Sequence, residues 1–138
     1  MQSLARREYS RAELHARLLP LAAPEDNLDA MLDELVARGW LSDARTAEQM
    51  VRTRRSRFGT QRIAHELKQK GISDELISAA LPQLKQGELE SAREVWQKKF
   101  ASFPKDQKEK AKQMRFLQSR GFSLDVVFKV LRADETED

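Results

Sequence analysis

Three short phrases recur along the chain, and they constrain its fold more than any other feature. They are Arg38-Gly39-Trp40-Leu41-Ser42, Lys70-Gly71-Ile72-Ser73 and Arg120-Gly121-Phe122-Ser123. Each is a cation, then glycine, then a large apolar residue, then serine, and each reads as the end of one helix and the start of another. The cation suits the negative C-terminal end of a helix. Glycine accepts the left-handed conformation just past that end. The apolar residue is expected to fold back onto the core, and serine to cap the next helix. Asp74, Glu75 and Asp125 then place negative charge where the new helix dipole is positive.

The segments between these stops carry helical stripes. Leu28, Met31, Leu32, Leu35 and Val36 fall on one helical face, and Leu124, Val127, Phe128 and Leu131 repeat the pattern. Leu89, Ala92, Trp96, Phe100 and Phe103 line a longer helix, while Leu14 with Leu18 and Ile63 with Leu67 mark shorter ones. Arg57-Phe58-Gly59 reads as a loop with Thr60 as a cap, and Phe103-Pro104 as a second break, since the residue before proline avoids the helical region. With 5 glycines, 4 prolines and no β-branched runs, the expected fold class is all-α.

The helices group in threes, at 2–8, 10–19 and 25–38, then 43–56, 60–70 and 73–81, then 86–102, 106–120 and 123–132. The middle helices correspond, Tyr9-Ser10 with Leu14 and Leu18 matching Phe58-Gly59 with Ile63 and Leu67. The expected architecture is three tandem three-helix repeats at 1–42, 43–84 and 85–133, followed by an acidic tail at 134–138. Units this small have marginal cores alone and lean on their neighbours, so an elongated, curved array is expected. The opening helix is short against its counterparts. Either it is truncated or the start of the chain is missing.

Composition removes several function classes. Cysteine is absent, which excludes a disulfide framework, a thiol nucleophile and Cys-ligated zinc. No Ser/His/Asp set or glycine-rich phosphate loop is recognisable, so the chain does not read as an enzyme, and no cofactor or metal is expected. His65 beside Glu66 points away from it on a helix, and Asp29 with Asp33 offers only two carboxylates to an ion. No apolar run spans a membrane and no signal peptide opens the chain, so a cytoplasmic monomer is expected. The aromatic residues Trp40, Trp96, Phe58, Phe116 and Phe122 are expected in cores.

The net charge of +3 hides segregation. Residues 25–43 are acidic, with Glu25, Asp26, Asp29, Asp33, Glu34 and Asp43, and residues 93–120 are basic. The stretch from 45 to 70 carries Arg45, Arg52, Arg54, Arg55, Arg57, Arg62, Lys68 and Lys70 against Glu48 and Glu66. Arginine suits bidentate pairing with phosphate or carboxylate. Two readings stand for the Arg52–Arg57 run, a solvated helix end or a partner surface. The candidate binding set is Arg52, Arg55, Arg57, Arg62, Lys68 and Lys70.

Three longer phrases then resemble one family. Gly39-Trp40-Leu41-Ser42-Asp43-Ala44-Arg45 with Ala47 is similar to the G-aromatic-L-D-D-x-R-x-A phrase of the RecX regulatory proteins, which act on the bacterial recombinase RecA. Gly59, Arg62, Ile63, Glu66, Leu67 and Gly71-Ile72 match its G-x-x-R-I-x-x-E-L-x-x-x-G-I phrase, and Arg115-Phe116-Leu117 with Arg120-Gly121-Phe122 its R-F-L-x-x-R-G-F phrase. The departures are Ser42 where an acid is common, Thr46 where an aromatic is common, and the short opening helix. The resemblance implies a regulator that binds the RecA filament on single-stranded DNA and suppresses ATPase, strand exchange and coprotease activity, with weak direct DNA binding. The alternative reading is a direct DNA-binding protein of helix-turn-helix type, although no helix carries the Arg/Asn/Gln grouping that reads bases.

Overall fold

The computed structural model describes residues 7–132. They form eight α-helices and one 3-10 turn, with no strand among the described residues. The helices are α1 (Arg11–Leu18), α2 (Leu28–Ala37), α3 (Asp43–Arg54), α4 (Thr60–Gln69), α5 (Asp74–Gln86), α6 (Glu88–Lys99), α7 (Gln107–Ser119) and α8 (Leu124–Leu131), and the 3-10 turn at Leu19–Leu21 follows α1.

Side-chain caps set most of the starts. Ser10, Asn27, Ser42, Ser73, Asp106 and Ser123 each accept a hydrogen bond from the backbone N–H three residues on. Ser10 and Glu13 complete a reciprocal capping box, satisfying two otherwise orphaned donors. At the ends of α2, α4 and α7, Gly39, Gly71 and Gly121 take φ of +77°, +79° and +91°. This is the left-handed turn that the repeated phrases require.

Three separate apolar clusters run along the chain. Leu28, Leu32 and Leu41 form the first, flanked by Tyr9, Leu14, Leu18 and Leu35. The second gathers Met50, Val51, Phe58, Ile63, Leu67, Ile72, Ile77 and Leu84 from α3, α4, α5 and their loops. The third gathers Val95, Trp96, Leu117, Phe122, Val127, Val130 and Leu131 from α6, α7, α8 and the turn before α8. Inside it the buried Trp96 indole N–H donates to Gln113 Oε1 at 2.8 Å, while Gln113 Nε2 donates to the Ser102 carbonyl at 3.2 Å. A buried polar network is tolerated when its members are paired in this way.

Several boundaries differ from the periodicity reading. The helix expected at 2–8 falls mostly outside the described residues, and residues 7–10 are not helical. The second helix stops at Leu18, before the tight turn containing Pro20, and the third starts only at Leu28, behind the Asn27 cap. The helix expected at 73–81 instead runs through Pro82 to Gln86. Proline inside a helix removes one hydrogen bond and costs about 3 kcal/mol. Continuing the helix seats Leu84 in the second cluster, which offsets that cost. The helix expected at 86–102 starts at Glu88 and ends at Lys99, where Ala101 turns left-handed and Phe103 comes back to 4.8 Å from Trp96.

Trp40 corrects one expectation outright: it is 69% exposed, while Leu41 is 5% exposed. The first phrase has one residue more than the other two between its glycine and its serine. The residue before the serine cap is the one that folds inward, as Leu41, Ile72 and Phe122 all do. The extra residue, Trp40, is turned to solvent, with the Arg38 guanidinium 5.6 Å from its ring centroid.

Candidate partner-binding surface

The basic stretch of 45–70 does not form one surface. Lys70 ends α4 and pairs with Glu13 at 2.6 Å, and Lys68 lies 3.8 Å from Asp74. Arg62 stacks 4.1 Å from the Phe58 centroid, donates to the Ser119 carbonyl at 3.3 Å and lies 3.8 Å from Glu66. The Arg55 guanidinium covers Gly87, the residue between α5 and α6, where a Cβ would collide with it. Arg52 and Arg57 are exposed and make no ion pair among the described residues. Ile63 and Leu67 face fully inward, as their spacing required.

Three cations from the second basic stretch join Arg57. Arg57, Lys98, Lys99 and Arg120 line one recess of about 260 Å³, together with Ser56, Val95 and Phe116. Its elements are the end of α3, the last turn of α6 and the end of α7. Arg57 and Arg120 lie 5.6 and 5.5 Å from the Phe58 centroid, and Arg120 and Lys99 lie 5.1 and 5.4 Å from that of Phe116. Cations on aromatic faces are held by the ring quadrupole. Lys98, Lys99 and Arg120 were visible in sequence only as part of a long charged run. The fold is what brings them to Arg57.

This recess sits beside the junction of the second and third repeats, where main-chain hydrogen bonds cross. Gly59 N–H donates to the Arg120 carbonyl at 2.7 Å, and Gln61 N–H to the Gly121 carbonyl at 3.2 Å. Gly59, not Thr60, is the cap residue of α4, and it has no side chain to satisfy the helix's first donors. The end of α7 supplies the acceptors instead. Thr60 is buried, with its N–H 3.4 Å from Glu88 Oε2. A Cβ on Gly59 would overlap the Gly121 carbonyl, and a Cβ on Gly121 would overlap Arg62.

The junction of the first and second repeats uses side chains. Ser10 Oγ–H donates to the Lys70 carbonyl at 2.5 Å, and Arg11 N–H to Asp43 at 2.8 Å. Glu13 meets Lys70 at 2.6 Å and Arg7 at 2.7 Å. Burial pushes the Glu13 carboxyl up, but the hydrogen bonds from Lys70 and the Ser10 N–H, with the nearby charges of Lys70 and Arg7, hold it below the usual glutamate range. Arg11 bridges Asp29 and Asp33 at 3.3 and 3.0 Å, so both carboxylates face a cation. No group of three or more His, Asp or Glu side chains suited to a metal occurs among the described residues.

Residues 42–81 match the model of the RecX second three-helix domain, and residues 86–131 that of the RecX third three-helix domain. The Regulatory protein RecX of Chromobacterium violaceum is 47% identical over 135 residues, covering 98% of this chain and 88% of that one. The chain belongs to the RecX family. The Regulatory protein RecX of Leptothrix cholodnii is 48% identical over 139 residues, covering 100% of this chain and 88% of that one. The crystal structure of RecX from Lactobacillus salivarius superposes with a TM-score of 0.78 at 21% identity, covering 98% of this chain and 91% of that one. That likeness carries the RecX fold, and the two matched domains carry the repeated three-helix plan.

Proposed function

We propose that the chain binds the RecA filament on single-stranded DNA and lowers its ATPase, strand-exchange and coprotease activities, as a cytoplasmic monomer that modulates DNA repair, recombination and the SOS response. The observation that carries this reading is membership of the RecX family at 47% identity over 98% of the chain, joined to the RecA-directed role implied by the sequence resemblance. The chain acts by occupancy and uses no catalytic group or cofactor. Its partner-facing residues are drawn from Arg52, Arg55, Arg57, Arg62, Lys68 and Lys70.

Within that set Arg52 and Arg57 are the better probes, because both are exposed and neither makes an ion pair among the described residues, whereas Arg62, Lys68 and Lys70 lie by carboxylates and Arg55 packs on Gly87. The test is DNA-dependent ATP hydrolysis by the recombinase, titrated with the protein. Turnover should fall with wild-type protein, and Arg52→Ala/Arg57→Ala should need more protein for the same effect while remaining helical. Exposed substitutions of this kind change stability by no more than about 0.5 kcal/mol each. Unchanged recombinase turnover at saturating wild-type protein would overturn the reading.

A further inference from the structure

We propose that Trp40 of one copy inserts into the recess between α3, α6 and α7 of a second copy, so that chains join head to tail. The inference goes beyond the regulatory reading and stands without it, because the contact needs neither recombinase nor nucleic acid.

Trp40 is built as an anchor. Its indole is 69% exposed, yet its main chain is fixed. The Trp40 N–H donates to the Leu35 carbonyl at 3.0 Å, directly after the left-handed turn at Gly39. Leu41, next in the chain, is locked in the first cluster. A tryptophan held outward on fixed main chain gives up little freedom when it is covered, and tryptophan is prominent among the residues that anchor protein contacts. Its surroundings are acidic. Residues 25–43 hold six carboxylates and one cation, Arg38. Arg38 pairs with Glu34 at 2.8 Å, and Arg11 from α1 bridges Asp29 and Asp33. The end of α2 at Ala37 adds the negative pole of a helix dipole.

The recess offers the complement. Arg57, Lys98, Lys99 and Arg120 line it without a carboxylate, over a floor of Val95 and Phe116, in a volume of about 260 Å³. None of the four cations makes an ion pair among the described residues, whereas Arg54, Arg62, Lys68 and Lys70 nearby all do. Among aromatic rings, indole holds a cation best, and the acidic rim around Trp40 matches the cations at the mouth. Both halves of the contact thus belong to one chain, on different repeats. Two acidic ends repel each other, and so do two recesses, which disfavours a symmetric pair. The contact is heterologous, and repeating it builds an open row rather than a closed dimer. A tryptophan buries about 150–250 Å², far short of the ~1,200 Å² of a stable complex. Dilute copies therefore stay apart, and copies brought to millimolar effective concentration on a common support join.

The test follows the whole chain alone by nuclear magnetic resonance as its concentration rises to about 1 mM. The Trp40 indole N–H and the amides of Arg57, Lys98, Lys99 and Arg120 should shift together, while the buried Trp96 indole stays still. Trp40→Ala should weaken the self-association by at least about tenfold, and Lys98→Ala/Lys99→Ala should weaken it likewise. Helicity should be unchanged in both variants, because all three side chains are exposed. Mixing the two variants is the decisive step. Labelled Trp40→Ala keeps its recess, and unlabelled Lys98→Ala/Lys99→Ala keeps its indole, so the mixture should restore the shifts at Lys98 and Lys99 that Trp40→Ala alone lacks. An absence of concentration dependence in the wild type would overturn the proposal, as would shifts that survive in Trp40→Ala or a mixture that restores nothing. A Trp40 signal that responds only to added recombinase would assign the indole to that protein instead, and would also overturn it. Recombinase inhibition by the wild type is a separate measurement, so the regulatory reading can fail or hold independently.

Discussion

The two junctions between repeats join the same parts by different means. In each, the start of one repeat's middle helix meets the end of the next repeat's middle helix, Ser10 against Lys70 and Gly59 against Arg120. An aromatic residue precedes both contacts, Tyr9 under Arg7 and Arg17, and Phe58 under Arg57, Arg62 and Arg120. The first junction is then held by a hydroxyl and by ion pairs. The second also has side-chain contacts, such as Arg62 on the Ser119 carbonyl, but at its centre are main-chain hydrogen bonds that only glycine allows at that distance. A contact made by side chains answers to pH and salt. A contact made by peptide groups answers mainly to steric fit.

The largest expected effect follows from that fit. Gly59 has φ of −84°, which any residue adopts, so Gly59→Ala isolates the close approach from backbone strain. Its new Cβ meets the Gly121 backbone, which cannot swing aside as a side chain does. Overpacking of this kind costs about 1–3 kcal/mol. Urea denaturation followed by circular dichroism should show that loss, together with a lower slope as repeats two and three cease to unfold together. A change below about 0.5 kcal/mol would remove the distinction between the junctions.

At the first junction, Lys70→Met should cost about 1 kcal/mol at neutral pH, since the pair with Glu13 is only partly buried and Arg7 remains. The effect should also vanish in acid. The Glu13 carboxyl is held below its ordinary range in the folded chain, so its contribution is complete above the unfolded value. It is lost as pH falls through the lower folded value. Wild type and Lys70→Met should therefore converge in stability on acidification, while Gly59→Ala should keep its deficit. The smallest effect is that of Trp40→Ala, within about 0.5 kcal/mol, because the indole is turned to solvent.

The repeated phrases made the fold legible because each carries its own stop, turn and cap, and these interactions are local. Helical period alone turns Ile63, Leu67 and Val127 inward, and all three are fully buried. The helix end expected at residue 81 and the core position expected for Trp40 fail for a shared reason. A local rule is outweighed at Pro82 by burial of Leu84 two residues on, and at Trp40 by a single extra residue before the cap. The candidate surface was less legible still. Sequence shows two separate basic stretches, at 45–70 and 93–120, and no period relates Arg57 to Lys98, Lys99 and Arg120. Equally, nothing in the order of residues distinguishes Lys70, already matched by Glu13, from Arg57, which has no such partner among the described residues.

The displacement of Trp40 also divides the molecule optically. The chain has 2 tryptophans, one bare at the end of the first repeat and one buried in the third with its N–H bonded to Gln113. An exposed indole emits to the red and is open to a soluble quencher, whereas a buried one emits to the blue and is shielded. The native protein thus carries two built-in reporters at opposite ends of its repeat series, with no label to attach. Quenching of the red component reads contact at the first repeat, and loss of the blue component reads opening of the third, in the same cuvette.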